Sequence, residues 1–331
     1  MSLSSAQLLP LANASVLVTG GLGFIGSQLA IALVNAGAEV TVLDADVEHT
    51  GANAFNLATV RDRVRLLRGD IRDAEALRAC IEGRDYLFNM AGLSSHLESL
   101  RNPLEDLDVN YRAQLGITDT CLAAAPAIRI VHASTRQVYG RAESLPVAET
   151  HAIHPPDPNG INKYAAERHY ELAARLRDLH VTSLRMTNTY GPHMRVRDAR
   201  QTFLGLWIAR AVAGTGFEVW GGEQVRDFTF VDDLVDACLL CALGDHAGRV
   251  FNVGGAVTTL RDAADALVKT VDHGSYSVCD FPAERKAIDI GDYVADDTAL
   301  RQATGWMPTT SLVDGLERTV HFYREHIARY V

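Results

Sequence analysis

The sequence has few cysteines, no long apolar run and no cluster of positive charge. Its five cysteines, at positions 80, 121, 238, 241 and 279, do not form the even, regularly spaced set of a disulfide framework. Cys238 and Cys241 are a C-x-x-C pair within an apolar helical pattern, and no second cysteine pair would complete a metal site. We therefore expect both to be core residues, and we predict no metal.

Signals for membrane insertion, export and nucleic-acid binding are also missing. No uninterrupted apolar segment approaches the length of a membrane crossing, and residues 1–14 lack a basic start followed by an apolar stretch. The net charge is −10, from 31 Lys and Arg against 41 Asp and Glu, and no basic run offers a surface to nucleic acid. These absences predict a cytoplasmic protein with neither a membrane nor a nucleic-acid partner.

Three glycines mark the junction between the first predicted strand and the first long helix. Gly20, Gly23 and Gly26 follow an apolar strand pattern. Phe24 and Ile25, between the second and third of these glycines, begin a helical apolar pattern. Without Cβ atoms this backbone can turn sharply, and a pyrophosphate can approach the unpaired N–H groups and positive dipole end of the helix. The motif predicts that all five residues bind a dinucleotide.

An acidic residue ends the next predicted strand, which begins at Glu39 and closes with Asp44. A carboxylate at this point accepts hydrogen bonds from an adenosine ribose and repels a 2′-phosphate. The sequence therefore favours NAD over NADP as the cofactor.

Strand and helix patterns alternate through the first half of the chain, which predicts parallel strands joined by right-handed crossovers. The predicted strands are Ser15–Thr19, Glu39–Leu43, Val64–Leu67, Tyr86–Met90, Ile128–Ser134 and Val181–Met186. After residue 187 the alternation becomes irregular, and glycine and proline mark loops. We predict an α/β fold, with a Rossmann-type doubly wound parallel sheet in residues 1–187, to which some later segments return. Residues 188–331 would form a smaller C-terminal α/β substrate lobe.

Five further segments follow the glycine turn in a recognisable order and spacing. They are Gly69-Asp70-Ile71, Asn89-Met90-Ala91-Gly92, Ser134-Thr135-Arg136-Gln137-Val138-Tyr139-Gly140, Asn188-Thr189-Tyr190-Gly191-Pro192 and Arg226-Asp227-Phe228-Thr229-Phe230-Val231-Asp232-Asp233. Together with the glycine turn, they resemble the extended short-chain dehydrogenase/reductase family of nucleotide-sugar epimerases and dehydratases. The resemblance covers residues 16 to 233.

The resemblance implies a role for each segment. The cofactor-contacting residues would be Asp70, Ile71, Met90, Ala91 and Gly92, in addition to the glycine turn and Asp44. Thr135 would carry the catalytic hydroxyl. Asn188 and Arg226 would hold the diphosphate of a nucleotide sugar, with a UDP-sugar favoured.

The resemblance also implies a homodimer. Members of the family commonly pair through the helix with the catalytic lysine and the one before it, here predicted as Gly160–Asp178 and Pro103–Ala125. Both helices carry apolar residues on more than one side. That pattern fits a dimer interface, and it fits interior burial in a monomer equally well.

One position departs from the family pattern, which has tyrosine and lysine one helical turn apart. In that pair the ammonium lowers the pKa of the phenol, and the phenolate takes a proton from a sugar hydroxyl. Here the lysine is Lys163, which the resemblance also places against the cofactor, and Asn159 stands where the tyrosine would be. An amide does not titrate near neutral pH, and Tyr164, directly after Lys163, points about a hundred degrees away on a helix.

Three explanations remain open for Asn159. Another group can act as the base, either Lys163 or one of His151, His154 and Asp157 in the preceding loop. Water ordered by Thr135 can support a slow reaction. Alternatively, the site binds NAD and a nucleotide sugar without turnover. We take Thr135, Lys163 and Asn159 as the catalytic positions.

The two residues after Thr135 discriminate among the reactions of the family. Dehydratases of the family have Asp-Glu there to protonate a departing hydroxyl, whereas Arg136 and Gln137 have no proton to give. Dehydration is therefore disfavoured, and 4-epimerisation by transient oxidation and re-reduction at C4 is favoured. A UDP-glucuronate decarboxylase is an alternative, because Arg136 can pair with a carboxylate and residues 191–200, including Arg200, resemble that branch. We predict substrate contacts for Arg136, Arg200, Asn188 and Arg226.

Overall fold

A seven-stranded parallel sheet forms the centre of the larger part of the molecule. The structure, a computed structural model, describes residues 3–47, 50–198, 202–282, 286 and 288–331. Its strands are β1 (Ser15–Thr19), β2 (Glu39–Asp44), β3 (Val64–Arg68), β4 (Tyr86–Asn89), β5 (Arg129–Thr135), β6 (His180–Met186), β7 (Asn188–Tyr190), β8 (Phe217–Trp220), β9 (Val225–Phe230), β10 (Val250–Asn252), β11 (Ala256–Thr259) and β12 (Tyr276–Cys279). The large sheet has the order β3-β2-β1-β4-β5-β6-β10. This arrangement confirms the predicted Rossmann-type α/β fold.

Helices cover both faces of this sheet. The α-helices are α1 (Ser5–Leu8), α2 (Phe24–Asn35), α3 (Ala74–Ile81), α4 (His96–Arg101), α5 (Pro103–Leu107), α6 (Ala113–Ala124), α7 (Pro158–Arg177), α8 (Phe203–Val212), α9 (Val231–Leu243), α10 (Leu260–Val271), α11 (Thr298–Thr304) and α12 (Leu312–His326). Because both faces are covered, Val16, Leu17 and Val18 on successive positions of β1 are all fully buried. A continuous apolar run, rather than an alternating one, is typical of such a strand.

The strand register brings the chemistry-bearing ends together. Thr19, the last residue of β1, lies beside Leu43 of β2 and Asn89 of β4. Asn89 in turn pairs with His132, so β5 extends beyond the end of β4 as far as Thr135. A cleft therefore opens at the carboxyl ends of these strands, where ligands of open α/β sheets bind.

The helix predicted over Pro103–Ala125 is interrupted. Between α5 and α6 the chain makes a π-helical turn over Asp108–Arg112. Asn110 lies in this wider turn, and its side chain bonds to the backbone of Leu93 and to the carboxylate of Asp106. These polar contacts join the π-helical turn to a neighbouring loop. Single π-helical turns inside α-helices are frequent at functional sites.

A smaller assembly of sheets and helices follows β6. The strands β11, β9 and β7 form a three-stranded sheet, and β12 pairs with β8. Helices α8, α10 and α12 pack together over an apolar core that includes Trp207, Phe217, Leu267 and Tyr323.

Two later elements belong to the large sheet. β10 pairs in parallel with β6 at the sheet edge, and α9 packs against α2. Cys238 and Cys241 of α9 are buried in the same core as β1, as expected for core residues. The division of the chain at residue 187 remains a prediction. No helix in the described ranges combines the length and the apolar character that a membrane crossing needs.

Candidate active site

The glycine turn lines a cleft of about 320 Å³ at the end of β1. A Cβ on Gly26 would lie 2.2 Å from the carbonyl oxygen of Gly20, and a Cβ on Gly20 would lie within 3 Å of the Ala91 backbone, so only glycine fits at both positions. Gly23 is the N-cap of α2 and offers no side chain to the first-turn N–H groups. Those donors are left for a ligand.

Asp44 is oriented by two backbone amides. Its Oδ2 accepts a hydrogen bond from the Leu22 N–H at 2.9 Å, and its Oδ1 accepts one from the Asp46 N–H at 2.8 Å. Burial raises the pKa of Asp44, and these two amides oppose the increase. The carboxylate is thereby fixed at the end of β2, on the wall of the cleft.

The other residues predicted to contact the cofactor line the same cleft. They are Phe24, Ile25, Asp70, Ile71, Met90, Ala91, Gly92 and Lys163. The carboxylate of Asp70 forms a bidentate pair with Arg72, at 2.6 and 2.9 Å. This pair lowers the pKa of Asp70.

Thr135 and Lys163 lie at the inner end of the cleft. The hydroxyl oxygen of Thr135 accepts a hydrogen bond from the Gln137 N–H at 3.1 Å, which leaves its own proton for an acceptor in the cleft. Nζ of Lys163 donates to the carbonyl of Ala133 at 3.0 Å. Burial lowers the pKa of Lys163, while the charges of Asp106 and Glu167 act in the opposite direction.

Asn159 is held in a buried network that the sequence did not reveal. Its Nδ2 donates to the carbonyl of Leu93 at 2.7 Å and to Oδ2 of Asp106 at 2.9 Å. Asn162 and Asn110 donate to the same carboxylate, at 2.8 and 3.0 Å. Asp106 is only 1% exposed, so these three amides replace its hydration. Asn159 therefore anchors the loop after β4 to α7.

The histidines proposed from the preceding loop do not reach the cleft. The ring of His151 is occupied locally, because Nδ1 donates to the carbonyl of Ala152 and Nε2 accepts from the Glu143 N–H. His154 is exposed, and neither histidine lines either cavity described here.

Asp157 is the N-cap of α7, and both of its carboxylate oxygens contact neighbouring groups. Its Oδ1 accepts from the Gly160 N–H at 2.8 Å, and its Oδ2 accepts from Nε2 of Gln137 at 2.9 Å. The same Oδ2 lies 3.0 Å from Nδ1 of His96, a residue that sequence reasoning missed. Burial raises the pKa of Asp157, but His96 and the two hydrogen bonds outweigh this, and the pKa lies below its ordinary value.

A second cavity, of about 950 Å³, opens beside the cleft between the large sheet and the C-terminal assembly. Arg136, Asn188 and Arg226 all line it, so the structure brings these three predicted substrate residues together. Nη2 of Arg136 donates to Oδ1 of Asn188 at 3.1 Å, and Asn188 donates to the carbonyl of Asp227 at 3.0 Å. Arg200, the fourth predicted residue, lies outside the described residues.

Two arginines of this cavity, Arg136 and Arg226, lie close to each other. Burial lowers the pKa of Arg226 to about 10, and the nearby charge of Arg136 contributes to the decrease. Arg226 is paired with Asp289 at 2.9 Å, whereas Nη1 of Arg136 is buried and has no hydrogen-bond partner among the described residues. Two buried guanidinium groups with an unused donor favour an anionic ligand.

A dinucleotide cleft beside an arginine-lined cavity is typical of NAD-dependent enzymes that act on nucleotide sugars. Comparisons of the chain with known proteins agree with this class. The chain belongs to the NAD dependent epimerase/dehydratase family, which matches residues 16–254. A UDP-glucose 4-epimerase of Mycolicibacterium smegmatis is 30% identical to it over 312 residues, which cover 93% of this chain and 98% of that protein.

Two solved structures are similar over nearly their whole length. A UDP-glucose 4-epimerase of Thermotoga maritima, determined with UDP-glucose, has a TM-score of 0.85 and 29% identity, and the match covers 95% of this chain and 99% of that one. A dTDP-glucose 4,6-dehydratase of Streptomyces venezuelae, a double mutant with NAD bound, has a TM-score of 0.83 and 29% identity over 95% and 98% of the two chains.

NAD is the cofactor of this family, and the cleft fits it. The backbone of the turn packs so closely at Gly20 and Gly26 that a Cβ atom at either position would clash with it, and the N-terminus of α2 lacks a side-chain cap. A carboxylate held as Asp44 is, on the wall of the cleft, can accept hydrogen bonds from ribose hydroxyls but not from a 2′-phosphate.

Proposed function

We propose that this protein is a nucleotide-sugar 4-epimerase that oxidises its substrate transiently at C4. NAD, when bound, supplies the hydride acceptor for that oxidation and returns the hydride afterwards. In this proposal the glycine turn, Asp44, Asp70, Ile71, Met90, Ala91 and Gly92 bind the cofactor. The substrate is a nucleotide diphosphate sugar, with a UDP-sugar favoured by the UDP-glucose complex of the Thermotoga relative.

One observation carries the proposal: the cleft and the larger cavity meet. His96, Arg136, Gln137, Asn188 and Thr202 line both of them. A sugar whose diphosphate lies in the larger cavity therefore reaches the inner end of the cleft, where Thr135 and Lys163 are found.

The residues have distinct tasks in the proposed reaction. Arg226 and Asn188 hold the diphosphate. To do so, Arg226 gives up its ion pair with Asp289 and binds the diphosphate instead. The hydroxyl of Thr135 donates a hydrogen bond to the sugar C4 oxygen and so fixes the orientation of the reacting carbon. Lys163 places a positive charge where the oxygen becomes more negative.

Epimerisation is favoured over dehydration because of the side chains at the junction. Arg136 is engaged with Asn188, and Gln137 donates to Asp157. Neither residue can protonate a departing hydroxyl, which elimination requires.

A second candidate, decarboxylation of a uronic acid, is favoured by Arg136. Its buried Nη1 has no hydrogen-bond partner within the part of the chain that the structure describes, and it can form the second arm of a bidentate pair with a sugar carboxylate.

The test is an NMR assay of the purified protein with NAD and either UDP-glucose, UDP-N-acetylglucosamine or UDP-glucuronate. Appearance of the C4 epimer supports the proposal. A 4-keto-6-deoxy sugar would replace it with dehydration, and a pentose with release of CO₂ would replace it with decarboxylation. Saturable calorimetric binding with no product from any of these sugars would identify a binding protein.

We also propose a homodimer that pairs through α7 and its neighbours. Ile161, Leu172 and Leu176 form an apolar stripe on α7 and are 53%, 43% and 67% exposed in the single chain. Sedimentation velocity should give the mass of a dimer, and Leu176→Glu should give a monomer. Leu9→Glu, at a 70% exposed leucine outside this surface, is the matched control. A monomeric wild-type protein would contradict the proposal.

A further inference from the structure

A histidine–aspartate pair lies at the junction of the two cavities. Nδ1 of His96 is buried and lies 3.0 Å from Oδ2 of the fully buried Asp157 side chain, although the two atoms are not aligned as a hydrogen bond in the described part of the chain; the His96 side chain as a whole is 31% exposed. His96 lines both cavities, and the carboxylate is fixed by the amide of Gly160 and by Gln137. A buried carboxylate beside one ring nitrogen favours a proton on that nitrogen and leaves the other nitrogen as an acceptor.

We propose that His96, oriented by Asp157, is the proton acceptor and donor for the C4 hydroxyl. This inference rests on the proposed function. In the oxidative half-reaction the O–H and C4–H bonds break, the proton passes to Nε2 of His96, and the hydride leaves C4 with its electron pair. In the reductive half-reaction the hydride returns to the opposite face of the carbonyl and His96 gives its proton back to the oxygen.

The network around Asn159 supports this assignment. Asn159 and Asn110 both bind the carbonyl of Leu93, which begins the short loop leading to His96. Ser95 then caps α4 through the Glu98 N–H. Residue 159, which lacks a titratable group, thus acts as a positioning residue for the loop that carries His96.

Other groups near the site are less suited to this role. Asp106 is 1% exposed, already accepts hydrogen bonds from three amides and does not line either of the two cavities. Nζ of Lys163 donates a hydrogen bond to the carbonyl of Ala133, and although burial lowers its pKa, the charges of Asp106 and Glu167 oppose that decrease. The charged residues that line the larger cavity together with His96 are Glu98, Arg101, Arg136, Asp198, Arg210, Glu218, Arg226 and Asp289, and Asp157 lies beside Nδ1 of its ring.

The first experiment compares wild type with His96→Asn and with His321→Asn. His321 is 77% exposed on α12 and serves as the control. We expect kcat of His96→Asn to fall by about 10²–10⁴, with the calorimetric Kd values for NAD and UDP changed by less than about threefold. His96→Ala should regain part of the lost rate when imidazole is added, because the cavity admits a ring of that size.

The second experiment does not depend on turnover. Histidine ¹H–¹⁵N spectra of the NAD-loaded protein should assign the Nδ1–H tautomer to His96, and Asp157→Asn should change the chemical shift of that Nδ1–H. Asparagine retains the helix cap at this position, so the variant should fold.

The two proposals fail differently. If the wild-type protein epimerises a nucleotide sugar and His96→Asn keeps its kcat within threefold, the assignment of His96 is overturned and the proposed function stands. If the wild-type protein converts no nucleotide sugar, the proposed function is overturned, and the assignment with it. An Nε2–H tautomer at His96, or an Nδ1–H chemical shift that Asp157→Asn leaves unchanged, overturns the pairing with Asp157.

Discussion

Asn159→Asp tests whether residue 159 is an anchor, because it exchanges one donor for an acceptor at almost constant volume. In the wild-type protein Nδ2 lies 2.9 Å from Oδ2 of Asp106, and both residues are 1% exposed. The substitution places a second carboxylate at that distance and removes the bond to the Leu93 carbonyl. Leaving a buried charge without compensation costs about 3–5 kcal/mol.

The cost should depend on pH with a defined sign. Protonation of one carboxyl restores a donor between the two groups, so the folded variant holds a proton that the unfolded chain releases near its ordinary pKa of about 4. At about 1.4 kcal/mol per unit, a cost of 3–5 kcal/mol corresponds to a folded-state pKa raised by about two to four units. The destabilisation should be small near pH 4, increase as the pH rises, and become constant above the raised pKa.

The assay is urea unfolding of wild type and variant between pH 4.5 and 8.5, followed by circular dichroism. Asn102→Asp introduces the same charge at an exposed position and should change the free energy of unfolding by less than about 0.5 kcal/mol. A difference below about 1 kcal/mol at pH 8, or one that does not vary with pH, would refute the anchoring of Asn159 to Asp106.

Three further predictions concern the cofactor cleft and the sheet behind it. Gly26→Ala should weaken NAD binding at least tenfold in calorimetry, because the new Cβ would lie 2.2 Å from the Gly20 carbonyl; Gly116→Ala, with no atom within 4 Å, should leave it unchanged, and equal affinities would contradict the cradle. Lys163→Met should reduce turnover at least a hundredfold while UDP binding changes little, relative to Lys269→Met at an exposed position; unchanged turnover would remove Lys163 from the mechanism. Burial, together with the charge of Lys163, lowers the pKa of His132 to about 3, so the folded protein does not take up the proton that the unfolded chain binds below about pH 6.5. The free energy of unfolding of the wild-type protein should therefore decrease as the pH is lowered. Between pH 7 and pH 5, His132→Gln should lose about 2 kcal/mol less of it than wild type in matched urea unfolding, and an identical pH dependence would argue against a neutral buried His132.

Local signals were sufficient for the scaffold of the site. The glycine turn and the first six parallel strands depend on nearest-neighbour sterics and on apolar runs, and their observed bounds agree with the predicted ones to within one residue at each end. Asp44 followed from its place at the end of a strand. Such features are encoded within about ten residues of sequence, where periodicity can be recognised.

Contacts between distant segments could not be predicted in this way. The pair of Arg226 with Asp289 and the convergence of three asparagines on Asp106 depend on how separate loops pack. The i, i+4 spacing of Asp106 and Asn110 was visible, but it is ordinary on a helix surface and gave no reason to expect a π-turn. His96 carried no motif at all, since its partner is contributed by a loop some sixty residues later.

The late return of β10 and α9 to the large sheet has a consequence for biosynthesis. Until residue 252 has left the ribosome, β6 has no neighbour on its outer side, and one flank of the sheet has no helix against it. A fragment that stops near residue 190 would lack both β10 and α9, and we expect it to aggregate. Splitting or fusing this enzyme at the seam between its halves would meet the same obstacle.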